Sequence, residues 1–232
     1  MIAAPPHVQH RSASADGVEA TIAYVQQRPW SWYTRLAVVR DGRKAFDVRV
    51  QPYPRETSNE PQAVTVRDLD GDGEPEVFVD LWTGGAHCCA WTRIYRWNGS
   101  TYTSTAAFWG DLDYRLEDLG DGGLDFVSGD DRFAYAFSSF AGSGFPLQIW
   151  SYRGGRLVDV TGAHRPLVAR DAAKWWRVAS QARRQRYETG GVYAAWAADQ
   201  SRLGKGATAL AWLRRHHAYP KGLAQFLRRL RY

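Results

Sequence analysis

The spacing of hydrophobic and polar positions changes once along the chain, near Thr161-Gly162. Before that point, short alternating runs are separated by turn dipeptides, the pattern of half-buried strands. Residues 18–24 alternate imperfectly. Residues 35–40, then Asp41-Gly42, then 44–50 predict a hairpin with a tight two-residue turn. Residues 92–97, Asn98-Gly99 and 101–105 predict a second; residues 147–153, Gly154-Gly155 and 157–160 predict a third. Beyond Gly162 the period becomes helical. Pro166 suits a first helical position, and Ala172, Trp175, Trp176 and Val178 carry a helix to about Arg186, before a break at Gly190-Gly191. Residues 192–203 and 207–216 predict two more helices, the latter stopped by Pro220. Leu223, Phe226, Leu227 and Leu230 recur at i, i+3, i+4 and i+7 and predict an amphipathic last helix.

The expected fold is therefore mainly β, with antiparallel propeller-blade-like or sandwich-like repeats and an α-helical C-terminal segment. Residues 1–17 have no periodicity and read as a flexible N-terminal tail. Residues 18–162 read as a β-repeat domain, and 163–232 as an Arg-rich helical segment packed on it.

Composition narrows the class. Of 232 residues, 44% are hydrophobic and 23% charged, which excludes wholesale disorder. Two cysteines exclude a disulfide-dense scaffold and a four-cysteine zinc site. No apolar run approaches a transmembrane span. No basic start followed by an apolar core marks a secretory signal, so residues 1–6 read as a mature or a trimmed start. The net charge of +6 conceals a split. Residues 163–232 hold 15 Lys and Arg against Asp171, Glu188 and Asp199, a net +12, which leaves −6 for residues 1–162. The basic half could attract anionic polymers or envelope glycans through Arg214, Arg215, Arg228, Arg229 and Arg231; its plainer reading is a solvated helix surface.

The sharpest chemical signal is in the acidic half. Asp68, Asp70 and Asp72 occupy positions 1, 3 and 5 of an Asp-x-Asp-x-Asp-Gly loop, Glu74 would offer its carbonyl at position 7, and Glu76 follows at position 9. Carboxylates crowded this closely repel unless a hard cation neutralises them, and an all-oxygen set prefers calcium. Position 12 is Val79, not a bidentate Glu, and the following run alternates like a strand, so the loop is not an EF-hand. A weaker second copy lies about 49 residues on, retaining Asp118, Asp121 and Asp125 but lacking one ligand.

The stretch 68–76 resembles the loops of FG-GAP and VCBS-type β-repeat proteins. With Gly84-Gly85-Ala86-His87-Cys88-Cys89 after it, the chain resembles bacterial secreted proteins of unknown function that carry this signature. The motifs at 131–137, 141–150 and 194–204 extend the resemblance over most of 18–232. It implies export to the cell envelope, calcium on Asp68, Asp70, Asp72, Glu74 and Glu76, and no known activity.

Cys88 and Cys89 have three readings: a vicinal disulfide, two buried thiols, or metal ligands with His87. On a strand their side chains point to opposite faces, which opposes a shared ion. Trp30, Trp32 and Tyr33 could line a sugar cleft, although aromatics are also ordinary sheet residues. His216-His217 reads as a solvated helix end. Asp111 with Asp113, or Asp130 with Asp131, could act as paired acids, and Ser139 or Ser143 with His87 could in principle form a triad. No Gly-x-Ser-x-Gly elbow, P-loop or His-Glu-x-x-His is present. The chain therefore reads as an exported, calcium-binding, non-catalytic protein with a structural or interaction role at the bacterial envelope, partnered by glycans, anionic polymers or another envelope protein, with no specific nucleic acid. The second reading is an envelope enzyme or carbohydrate-binding protein acting on anionic wall glycans.

Overall fold

A computed structural model of the chain describes residues 7–28, 31–53, 59–85 and 88–232. It is mainly antiparallel β with four C-terminal helices. Three four-stranded sheets are present among the described residues. The first runs β1 (Gln9–Ala15), β2 (Val18–Arg28), β3 (Ser31–Arg40) and β4 (Arg43–Arg49) in spatial order. Asp41 and Gly42, at φ 47° and 75°, make the expected tight turn between β3 and β4.

The reading of residues 1–17 as a tail is corrected by β1, which pairs antiparallel with β2 from Gln9↔Tyr24 to Ala15↔Val18. The strand is an exposed sheet edge, so only Ala13 and Ala15 touch the core and the apolar alternation is missing. Its signal was Asp16-Gly17, a positive-φ pair like Asp41-Gly42.

The second sheet is β5 (Glu60–Arg67), β6 (Glu76–Gly85), β7 (Cys88–Trp97) and β8 (Tyr102–Gly110), again in sequence order. Side chains alternate across β6. Val77, Val79 and Leu81 share a buried core with Trp91 and Tyr95 and with Ile22, Leu36 and Val38 of the first sheet. Phe78 looks the other way and meets Phe126 edge-on, ring centroids 6.3 Å apart. The third sheet has the order β12 (Arg156–Asp159), β11 (Leu147–Arg153), β10 (Asp125–Gly129), β9 (Arg115–Glu117).

Two compact units result: Met1–Phe126 with Ser151–Val158, and Val127–Trp150 with Asp159–Tyr232. The expected boundary at 162/163 is thereby replaced. It marked where strand gives way to helix, but the chain leaves the first core earlier, returns at 151 and leaves again after 158.

The second unit is built on α1 (Arg165–Arg184), α2 (Gly190–Arg202), α3 (Gly206–Arg215) and α4 (Leu223–Leu230). Gly190-Gly191, expected as a break, instead opens α2. A Cβ on Gly191 would stand 2.5 Å from the Gly142 carbonyl oxygen, so glycine is what lets α2 lie against that segment. As the pattern predicts, α4 buries Leu223 and Leu227, and Phe226 meets Phe133 and Phe137 edge-on at 5.0 Å. Trp175 is an internal anchor whose indole N–H donates to Asp171 Oδ2 at 2.8 Å. The Leu147 amide donates to the same oxygen at 3.1 Å, and Lys174 pairs with Oδ1 at 3.2 Å. Beside Asp171 lies Asp199, fully buried in α2. Burial pushes the Asp199 carboxyl up to about 9, and the Asp171 charge adds to the rise.

Candidate metal centre

The acidic loop joins β5 to β6 and is wound by its own carboxylates. Asp68 accepts from the Gly71 amide through Oδ1 and from the Gly73 amide through Oδ2, both at 2.8 Å. Asp72 Oδ1 accepts from the Glu74 amide at 2.8 Å. These bonds turn the chain so that Asp68, Asp70 and Glu76 each bring an oxygen within 4.8 Å of the others. Glu76, the first residue of β6, is fully buried, and its Oε2 accepts from the Leu69 amide at 2.9 Å. Burial pushes its carboxyl up to about 8, with the charges of Asp70 and Asp72 adding to the effect. Asp70 Oδ1 and Glu76 Oε1 are buried without a hydrogen-bond donor.

Of the five sequence-predicted residues, three bring side-chain oxygens together. The Glu74 carboxylate, as distinct from the carbonyl expected as its ligand, is held by Nη1 and Nη2 of Arg40. Asp72 Oδ2 accepts from Arg96 Nη2 at 2.6 Å. The same guanidinium places Nε 3.5 Å from Asp70 Oδ2 and from Glu76 Oε1. Arg96 and Arg40 were missed in the sequence because the relation of each to the loop is tertiary, set by strand register for Arg96 and by contact with the first sheet for Arg40. Val77↔Tyr95 puts Arg96 directly across the strand pair from Glu76.

The second acidic loop lies beside the first. A Cβ on Gly71, which has φ 73°, would fall 1.8 Å from the Gly122 carbonyl oxygen, so the two backbones touch where only glycine fits. The Leu124 amide donates to the Leu69 carbonyl at 2.8 Å. Asp118 accepts from the Gly120 amide at 2.9 Å and stands apart. Asp121 and Asp125 are brought together on the Ser151 hydroxyl, and Arg153 also pairs with Asp121. The Gly154 amide donates to Asp70 Oδ2 at 3.2 Å, tying residue 154 to the first loop.

An oxygen-only set with two undonated buried oxygens fits a hard cation, with Asp68, Asp70 and Glu76 as its side-chain ligands. Arg96 offers Asp70 and Glu76 a positive charge from the protein itself.

The remaining candidates fall as follows. Cys88 and Cys89 are joined as a vicinal disulfide, and the Cys89 amide donates to Thr83 Oγ1 at 2.7 Å. His87 and Trp30 lie outside the described residues. Trp32 and Tyr33 are half-buried, Trp32 against Tyr24 and Tyr33 under Arg49. Ser139 bonds to Glu188 and Ser143 to the Ser139 carbonyl. Asp130 is buried and held by Arg132 and the Tyr232 hydroxyl. His216 stacks on Trp212 at 4.2 Å. Arg214, Arg215, Arg228, Arg229 and Arg231 are all exposed, with Arg214 over Tyr219 and Arg229 over Phe226. Among the described residues no helix is long and apolar enough to cross a membrane.

No family model matches the chain. It is 32% identical over 152 residues to a probable thylakoid lumen protein of Synechocystis sp., an alignment covering 62% of this chain and 44% of that protein. It is also 32% identical over 138 residues to an uncharacterised protein of Sinorhizobium fredii, covering 57% of this chain and 21% of the other. The chain thus matches less than half the length of either relative.

Proposed function

We propose that this chain is an exported, calcium-stabilised, non-catalytic module with a structural or interaction role at the bacterial cell envelope, akin to FG-GAP and VCBS-type repeats. The observation that carries the reading is the convergence of Asp68, Asp70 and Glu76, whose buried oxygens include two without a donor. Calcium there would offset the repulsion that burial imposes on Glu76 and would fasten the β5–β6 loop to the start of β6. The Glu74 carbonyl and Asp72 would complete the shell, with Asp72 exchanging Arg96 for the ion. The vicinal Cys88–Cys89 disulfide favours an oxidising compartment, and the relative named as a probable lumen protein is consistent with one. The exposed arginines supply an anion-attracting surface on the helical unit.

Thermal melting with calcium and with chelator tests the reading. At free calcium 100-fold above its dissociation constant the gain is about 2.7 kcal/mol, a rise of roughly 5–10 °C in Tm. Asp70→Ala should abolish the rise. A melting temperature indifferent to both calcium and chelator refutes the proposal.

A further inference from the structure

Strand β6 carries a second polar position four residues beyond Glu76. Alternation puts Glu76, Phe78, Asp80 and Trp82 on one face of the sheet, with Asp80 about 13 Å along from Glu76. The register Asp80↔Thr92 places the Thr92 hydroxyl beside the carboxylate, and it donates to Oδ1 at 2.6 Å. The Tyr114 hydroxyl donates to Oδ1 and Oδ2 at 2.9 and 3.1 Å. Trp109 Nε1 donates to Thr92 Oγ1 at 2.8 Å and completes a rigid network behind the carboxylate.

In front of it lies an open cleft of about 610 Å³. Trp82, Trp91, Trp109 and Tyr114 provide its aromatic lining. The charged residues among its described lining are Glu60, Asp80, Asp111 and Asp113, all acids. Asp111 and Asp113 have partners of their own, and Asp80 is the acid that the hydroxyl network fixes in the cleft wall. Its donors are neutral hydroxyls, burial raises its pKa, and the charge of Asp113 raises it further.

Three classes of occupant can be weighed on this chemistry. An anionic glycan would meet a carboxylate that is already crowded by a like charge. A hard metal ion needs six or more oxygen ligands, and among the described residues Glu60, Asp80, Asp111 and Asp113 do not come together as a ligand group. A neutral sugar would find stacking surface but would bring no counter-charge to a cleft whose charged lining residues are all acids. An ammonium group satisfies both features, since it neutralises the carboxylate and is attracted by aromatic faces. We propose that this cleft binds a small organic cation carrying an ammonium group, with Asp80 as its counter-charge and the aromatic residues as its walls. The inference stands independently of calcium at the acidic loop.

The test compares choline with its uncharged isostere 3,3-dimethylbutan-1-ol and with glucose, by calorimetric titration of the calcium-saturated and chelator-treated protein. Choline should bind about tenfold or more tightly than the isostere. Asp80→Asn, which keeps the shape and removes the charge, should reduce that preference to within about twofold. Because Asp80→Asn could disturb the hydroxyl network, Trp82→Ala on the half-buried wall is the second variant, and it should weaken choline binding. Equal affinity for choline and its isostere overturns the proposal. So does glucose binding in place of choline, or the absence of choline binding up to about 20 mM.

Discussion

Replacing Asp199 by Asn should make the protein more stable, and by an amount that grows with pH. The Asp199 carboxyl is fully buried in α2 and its pKa stands at about 9, raised by burial and then by the Asp171 charge. In the unfolded chain an aspartate titrates near 4. Because the folded value lies above the unfolded one, the stabilisation associated with the bound proton is complete below about pH 4. It is lost steadily as pH rises and is gone above about pH 9. Between those limits the folded state holds about one proton more than the unfolded state, a slope of about −1.4 kcal/mol per pH unit. From pH 5 to pH 7 the wild type should lose about 3 kcal/mol relative to Asp199→Asn. The amide carries no titrating proton. Urea denaturation of both proteins at pH 5, 6, 7 and 8, followed by tryptophan fluorescence, gives the difference, since titrations of groups not coupled to Asp199 cancel. A difference that does not change with pH would refute the assignment of a proton to the buried Asp199.

Two further outcomes probe other parts of the molecule. Gly71→Ala sets a Cβ 1.8 Å from the Gly122 carbonyl, a backbone atom that cannot swing aside, at a residue with φ 73°; the loops must part, at a cost of at least about 2 kcal/mol in the unfolding free energy measured by urea denaturation. Changing Arg228, Arg229 and Arg231 together to Gln should weaken binding to anionic vesicles or wall polymers, in a manner that fades toward about 0.5 M salt. The melting temperature should move by only about a degree or two, because these side chains are exposed.

What could be read in advance divides along physical lines. Features set by neighbours in sequence were legible: Asp41-Gly42 needs a primed turn, and the Leu223, Phe226, Leu227, Leu230 stripe admits one buried helical face. The acidic loop was legible for the same reason, since its Asp68 bonds span only three and five residues. Strand β1 was not, because an edge strand needs few apolar residues and Gln9–Ala15 supplies only Ala13 and Ala15 to the core. Arg96 and Asp80 were equally hidden. Each acquires its role from the residue opposite, Glu76 for one and Thr92 for the other, and a register between strands is not written in either strand alone.

The return of residues 151–158 to the first unit bears on how the chain is made. Synthesis proceeds from the N-terminus, and the two acidic loops emerge well before Ser151, Arg153 and Gly154. Until those residues leave the ribosome, Asp70 lacks its Gly154 amide, Asp121 lacks Arg153, and Asp125 lacks the Ser151 hydroxyl. Thr105 likewise waits for the Gly155 carbonyl. The first unit therefore cannot finish folding as a nascent N-terminal half, and a chain cut after Phe126 would carry its acidic loops without the late-arriving donors that hold them. The segment 127–150 behaves in this respect as an insertion: everything it encodes must be translated before the earlier unit can close.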